Sequence, residues 1–308
     1  MAHATDGRTR LAYVVMVVAP LFFSTNLIFG RGVIGEVSPF LLAFLRWLAV
    51  AIALSPFLWA EQQAVAAIMR SHWRLVLTLA FLGMWLCGAG VYVALDMTTA
   101  TNGTLIYTTS PVIILLIEAA FKDRKIGVRE GVGAIIALCG IATIVLRGHP
   151  ASILSLGLNV GDIIFVAAAV AWAIYSILQR TPDFQKASNA ALLGLLGAAG
   201  AVLLLPFAAF EIAAGAPLPS TAAAWGGIAG IVVFASLLAF SSFQFGIRML
   251  GAPLAGVFMY LMPPYGVMLA VLFLGERLEP FHVAGIALVM GGVILATLPA
   301  RPGARPRD

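Results

Sequence analysis

Residues 11–147 and 159–298 are two versions of one apolar five-helix pattern, and no other feature of the chain restricts its fold as much. Phe23, Asn26 and Arg31 recur 149 positions later as Trp172, Tyr175 and Arg180, while Ser38, Pro56 and Phe57 recur at 150 as Ser188, Pro206 and Phe207. Trp73, Pro111, Gly133 and Gly140 return at 152 as Trp225, Pro263, Gly285 and Gly292. A unit with an odd number of crossings, repeated once, sets its second copy upside down relative to the first. Secondary transporters use this arrangement, with a substrate path between the halves.

The repeats are apolar enough to require a bilayer. Apolar residues make up 62% of the chain and charged residues 10%, with a mean hydropathy of +1.04; a soluble domain has roughly 45–50% and about 25%. Ten nearly uncharged runs follow one another: 11–29, 39–60, 75–95, 100–121, 132–146, 163–178, 190–210, 222–245, 251–274 and 281–298. Most approach the roughly 20 residues that cross about 30 Å of hydrocarbon as a helix, and none shows the alternating polar face of a barrel strand. The expected fold is an all-α integral membrane protein of ten transmembrane helices in two inverted five-helix repeats. Tails of residues 1–10 and 299–308 flank the repeats, and residues 148–158 link them.

Lys and Arg set the orientation. With a cytoplasmic N-terminus, the cytoplasmic segments hold Arg8, Arg10, Arg70, Arg74, Lys122, Arg124, Lys125, Arg129, Arg180, Lys186, Arg248, Arg301, Arg305 and Arg307, against Arg31, Arg147 and Arg277 outside. Both termini are therefore expected in the cytoplasm, and the chain in a bacterial inner membrane. This sidedness accounts for the net charge of +5 without a nucleic-acid patch, because the cations are scattered among loops. A signal peptide is an alternative for the first run, but the run lacks an A-x-A-like cleavage site and has a counterpart in the second repeat. The segment from Glu61 to Arg74 is the longest connection and suits a surface helix. Cys87 and Cys139 read as packing groups within helices.

Motifs for catalysis, nucleotides or metals are missing: there is no H-E-x-x-H, G-x-S-x-G or P-loop, and no Cys/His cluster. No cofactor or metal is expected, and an enzyme is disfavoured. Two ionisable residues lie inside the runs. Arg46 either faces the bundle interior, where its charge needs polar partners, or snorkels to a headgroup. Glu118 either forms a local ion pair with the basic loop after Phe121 or couples protons. Asp96 and Asp162 read as caps or rim residues at helix ends.

Arg46, Trp172-Ala173 with Tyr175 and Arg180, the paired Pro111 and Pro263, and Leu274-Gly275-Glu276-Arg277-Leu278 followed by Gly285 and Gly292 together resemble the EamA-type drug/metabolite transporter superfamily. The resemblance covers residues 12–298. It departs at Asp123-Arg124, which stand where the second repeat has Gly275-Glu276. The resemblance implies a ten-helix carrier of small metabolites, with bacterial relatives exporting amino acids, including aromatic ones. It also implies a path lined by the first, third and fourth helices of each unit.

Those helices carry most of the intramembrane aromatics and amides. Trp85, Gly88 and Tyr92 share a face at helical spacing, matched by Leu237, Phe240 and Gln244; Tyr107 with Pro111 is matched by Tyr260 with Pro264. Pro111, Pro263 and Pro264 are expected to kink their helices and bare backbone carbonyls. The expected cavity comprises Phe22, Phe23, Asn26, Trp85, Gly88, Ser110, Trp172, Tyr175, Phe240, Ser241 and Met262, with Tyr92, Gln244, Tyr107 and Tyr260 at its gates. Ordinary core packing is the competing reading for each of these aromatics. An aromatic, weakly polar cavity suits neutral amphipathic solutes such as amino acids, exported by alternating access, as a uniporter working as a monomer. A proton-coupled multidrug or other metabolite exporter is the alternative, and a membrane-embedded lipid enzyme a remote one.

Overall fold

In a computed structural model of the chain, the described residues are 2–31, 33, 35–98, 103, 106–107, 109–121, 126–149, 159–274 and 277–297. The linker from 150 to 158, the C-terminal tail, the loop 122–125 and the pair Gly275-Glu276 lie outside them. Where described, the apolar runs are helical, and no β-strand forms among the described residues. The first repeat holds α1 (Ala2–Arg31), α2 (Pro39–Ala53), α3 (Ser55–Ala60), α4 (Gln62–Ala80), α5 (Val91–Leu95), α6 (Ser110–Phe121) and α7 (Val128–Val145). The second holds α8 (Val160–Leu178), α9 (Asn189–Ala213), α10 (Ala222–Gly230), α11 (Ala239–Leu250), α12 (Ala252–Phe258), α13 (Met262–Leu274) and α14 (Pro280–Thr297). Among the described residues, six stretches are long and apolar enough to cross a membrane: Gly7–Asn26, Gln62–Ala94, Val160–Leu178, Asn189–Ala213, Ala222–Leu250 and Ala252–Phe273.

Three local features differ from the sequence expectation. The first helix begins at Ala2, so residues expected to be a tail continue the α1 rod. The Glu61–Arg74 connection is helical, as a surface helix requires, but it runs straight into the third rod; the only break is at His72, whose φ of −134° and ψ of 26° leave the helical region. The prolines sit at helix beginnings rather than in mid-helix. Pro111 is the second residue of α6, and Pro263 and Pro264 are the second and third of α13, after a 3₁₀ turn at Met259–Leu261. A first helical turn has no use for the missing N–H, so these prolines restart broken helices.

Equivalent helices of the two repeats meet antiparallel, as inversion requires. In α7 and α14, a Cβ on Gly133 would lie 2.6 Å from the Gly292 carbonyl oxygen, and one on Gly140 would lie 2.7 Å from that of Gly285. With four glycines facing one another, the backbones touch directly, and close van der Waals approach is what holds helices together in lipid. Helices α2 and α9 form the second such pair. The Glu211 carboxylate accepts hydrogen bonds from the Ser38 hydroxyl (2.5 Å) and the Leu41 N–H (2.9 Å), while Glu61 accepts one from the Ser188 N–H (2.7 Å). Glu61 and Glu211 are themselves repeat equivalents, 150 positions apart. Each repeat thus caps the helix start of the other, satisfying amide donors that have no partner within their own helix.

Candidate functional site

The third rod of each repeat changes helical type at the same place. Phe81–Gly90 joins α4 to α5 and Ile231–Leu238 joins α10 to α11, both as π-helix. Such widened turns commonly mark functional positions because they displace carbonyls from the regular ladder. Between these two segments lies the molecular centre. Phe23 and Trp172, which are repeat equivalents, meet edge to face at 5.7 Å, so they straddle the internal two-fold axis.

Toward one end of the bundle lies a polar layer under a cavity of about 270 Å³ lined by Gly35, Val37, Ser38, Pro39, Leu42, Tyr92, Asp96 and Pro217. Arg46 sits one turn along α2 from the wall residue Leu42 and is 6% exposed. Its Nε donates to the Ser236 hydroxyl (2.6 Å), Nη1 to the Tyr92 hydroxyl (3.2 Å) and Nη2 to the Ala235 carbonyl (2.9 Å). Ala235 and Ser236 both belong to the second π segment. The Tyr92 hydroxyl donates in turn to Asn26 Oδ1 at 3.2 Å. Arg46 therefore faces the interior, which decides between the two sequence readings of this residue. Its guanidinium also stands over the Trp47 and Phe240 rings at 5.1 and 5.9 Å, where the negative ring faces attract it.

Beneath this layer is an aromatic plug. Trp172 stacks on Tyr175 at 5.4 Å and on Phe243 at 5.0 Å, and Phe240 meets Trp47, Phe23 and Trp172 at 5.0, 5.3 and 5.6 Å. Tyr107 reaches Trp172 at 6.4 Å. Trp47 and Phe243 were not among the sequence candidates. Trp47 adjoins Arg46 in the second helix, outside the helices that the resemblance implicates. Gly88 belongs here too: a Cβ on it would lie 3.4 Å from Trp47 Nε1.

On the far side of the plug lies a second polar layer, sealed. Tyr175, Gln244 and Tyr260 are at most 1% exposed, and among the described residues neither the two tyrosine hydroxyls nor the Gln244 amide finds a partner at close hydrogen-bond geometry. Tyr175 and Gln244 are the repeat equivalents of Asn26 and Tyr92. The same helix pair thus carries a polar couple in each half, hydrogen-bonded under the open cavity in one and buried in the other. The side chains around this layer close it off from solvent. Gly83 makes room for it, since a Cβ there would come within 2.7 Å of the Tyr175 ring.

Other candidates lie apart. Trp85 packs with Phe40, Phe81 and Phe207 at 5.5, 5.2 and 5.4 Å, and Phe81 and Phe207 are exposed on the outside of the bundle. Trp85, Gly88 and Tyr92 do not share one face, because α-helical spacing fails across a π segment. Phe22, half-buried, meets the exposed Phe234 at 6.4 Å. The Ser110 hydroxyl donates to the Tyr107 carbonyl at 2.5 Å, and the Ser24 hydroxyl lies 2.9 Å from the Met262 carbonyl. Ser241 is half-buried. Glu118, buried, lies 3.6 Å from Arg180 Nη1, a partner in the other repeat; Lys122, Arg124 and Lys125 of the basic loop expected to pair with it are outside the described residues. Asp162 forms a capping box with Asn159, and Asp96 lines the cavity rim. Among the described residues, no three of His, Cys, Asp and Glu gather as a metal-binding group.

The model of the EamA-like transporter family matches this chain twice, over residues 10–146 and 159–298, once per repeat. The chain belongs to the EamA-like transporter family. Within the family it is similar to the uncharacterized transporter YetK of Bacillus subtilis, at 24% identity over 96% of this chain and 89% of YetK. It is also similar to a probable terminal-alkyne amino-acid exporter of Streptantibioticus cattleyicolor, at 26% identity over 64% of this chain and 63% of that protein. A solved crystal structure 20% identical to it superposes with a TM-score of 0.76 over 93% of this chain and 97% of the other, which shows a shared fold. The protein is a multi-pass membrane transporter.

Proposed function

We propose that this transporter exports small amphipathic metabolites, amino acids including aromatic ones, by alternating access across a bacterial inner membrane. One observation carries the reading: two equivalent polar layers flank a central aromatic plug, the one containing Tyr92 beneath a cavity and the one containing Gln244 buried. Exchange of the open and sealed layers across the two-fold axis is the motion that alternating access demands. In this reading ten helices cross the membrane, both termini are cytoplasmic, and the Asp96 end faces outward, in keeping with the scarcity of Lys and Arg there. The path lies within one chain, so a monomer suffices.

The plug of Trp47, Trp172, Phe240 and Phe243 suits apolar side chains, and the relative named as a probable amino-acid exporter supports the substrate class. Transport is driven by the substrate's own gradient, because the buried carboxylate Glu118 is already engaged by Arg180 across the repeats. Counterflow in proteoliposomes loaded with amino acids, quaternary amines or sugars tests the proposal. Amino acids are expected to accelerate labelled uptake; acceleration by quaternary amines alone overturns the substrate class and favours the multidrug alternative.

A further inference from the structure

The buried arginine beneath the cavity has no counter-charge among the described residues. Its three partners are a serine hydroxyl, a tyrosine hydroxyl and a main-chain carbonyl, and no carboxylate among the described residues reaches it. A guanidinium carries five N–H donors, so one N–H on each terminal nitrogen remains unused. An isolated charge at membrane depth is costly, and protein groups there normally pair with an opposite charge. Resting on the amino-acid exporter reading above, we infer that Arg46 is the substrate's carboxylate anchor, reached from the cavity past Tyr92.

Three observations converge on it. Tyr92 belongs to both the cavity wall and the arginine's hydrogen-bond network, so a solute at the cavity floor displaces or joins the bond from Nη1 to Tyr92. The cavity has Asp96 on its wall and Arg46 under its floor, one charge of each sign, which matches a zwitterion and not a bare cation. Below lie Trp47 and Phe240, whose rings already face the guanidinium and border the plug where an apolar side chain would rest. A phosphate-bearing substrate fits less well, since a dianion calls for more than one arginine or lysine.

The break in symmetry is informative. The glycine crossing, the glutamate caps and the two polar couples come in equivalent pairs, whereas Arg46 has Leu196 as its counterpart. A single cation in one of the two polar layers suits a ligand that itself has only one carboxylate.

The test compares L-phenylalanine and L-leucine with their amides in proteoliposome counterflow. Each amide keeps the ammonium group and side chain and loses only the carboxylate charge. The wild-type protein is expected to favour acid over amide by roughly 10- to 100-fold in half-saturation, the range of a charge-assisted hydrogen bond. Arg46→Leu, which installs the residue found at the equivalent position, should abolish that preference, and Arg46→Lys should retain part of it. Equal half-saturation for acid and amide in the wild type, or undiminished preference in Arg46→Leu, overturns the anchor and leaves the carrier intact.

Phenylglyoxal labelling of the wild-type protein, read by mass spectrometry, needs no variant to fold and no transport to occur. Phenylalanine should protect Arg46 and phenylalaninamide should not. Equal protection by both, or no labelling of Arg46 under any condition, overturns the proposal. If neither amino acid moves, the exporter reading fails by itself, and the labelling still decides whether the site takes carboxylates.

Discussion

Replacing Gly292 by alanine should destabilise the protein, whereas the same change at its neighbour Gly291 should not. The two residues share α14 and differ only in which way they face. A Cβ at Gly292 would lie 2.5 Å from the Gly133 carbonyl oxygen and 2.5 Å from the Ala137 nitrogen of α7, while one at Gly291 meets nothing within 4 Å. Ordinary C–H···O contacts are about 3.3–3.6 Å, so the α7–α14 crossing must open by roughly 1 Å to admit the methyl group. Both substitutions gain about 0.5–1 kcal/mol from restricting the unfolded chain and improving helix propensity. Gly292→Ala alone also incurs overpacking, roughly 1–3 kcal/mol.

The difference between the variants isolates the crossing, and it corresponds to roughly 2–10 °C in melting temperature. Thermal melts of the purified proteins in one detergent, followed by tryptophan fluorescence or by the surviving monodisperse fraction, would measure it. Gly291→Ala should melt at or slightly above the wild type and Gly292→Ala below it. Equal melting temperatures would refute direct backbone contact as the joint between the repeats.

Three further outcomes follow from the geometry. The hydroxyl of Ser188, its backbone N–H and the charge of Arg248 hold the Glu61 carboxyl below its usual value, so its contribution is complete above the unfolded pKa of about 4.3 and fades as pH falls through the lower folded value; Glu61→Gln should melt below the wild type at neutral pH, with the gap closing under acid, and a gap that widens contradicts the cap. Glu118→Gln should leave counterflow largely intact, and an imposed pH gradient should not concentrate substrate; uphill accumulation abolished by that variant would make Glu118 the coupling site. Single cysteines at Tyr92 and Gln244, in a background lacking Cys87 and Cys139, should respond to substrate in opposite directions when labelled, whereas identical, substrate-independent labelling at both points to a channel.

Much of the architecture was legible because hydrophobicity and repetition are local, countable properties. The apolar runs are helical where described, and Phe23, Trp172 and Phe240 do meet at the centre. The pairing of Gly133 and Gly140 with Gly285 and Gly292 was visible as an offset, although nothing in it said that these residues touch each other. Trp85 and Phe22 pack outside the central ring cluster, for different reasons. Trp85 precedes Gly88 and Tyr92 in a segment whose π turns break the 3.6-residue period, and Phe22 faces away from its neighbour Phe23, a 100° step that composition cannot register.

By itself, the amino-acid order determined that this chain is a membrane-embedded, all-helical duplication with an aromatic, charge-poor interior, because those properties follow from how many apolar residues occur in a row and how far apart they recur. Only the tertiary structure decided which residues face which. It brought Glu61 to Ser188, Glu211 to Ser38 and Glu118 to Arg180, and set Arg46 against Ser236 beneath the cavity. Each of these pairs joins helices from different repeats, more than 60 positions apart in sequence. Their meeting depends on helix rotation and crossing geometry, which are set by the close packing of the whole bundle and leave no periodic trace in the chain.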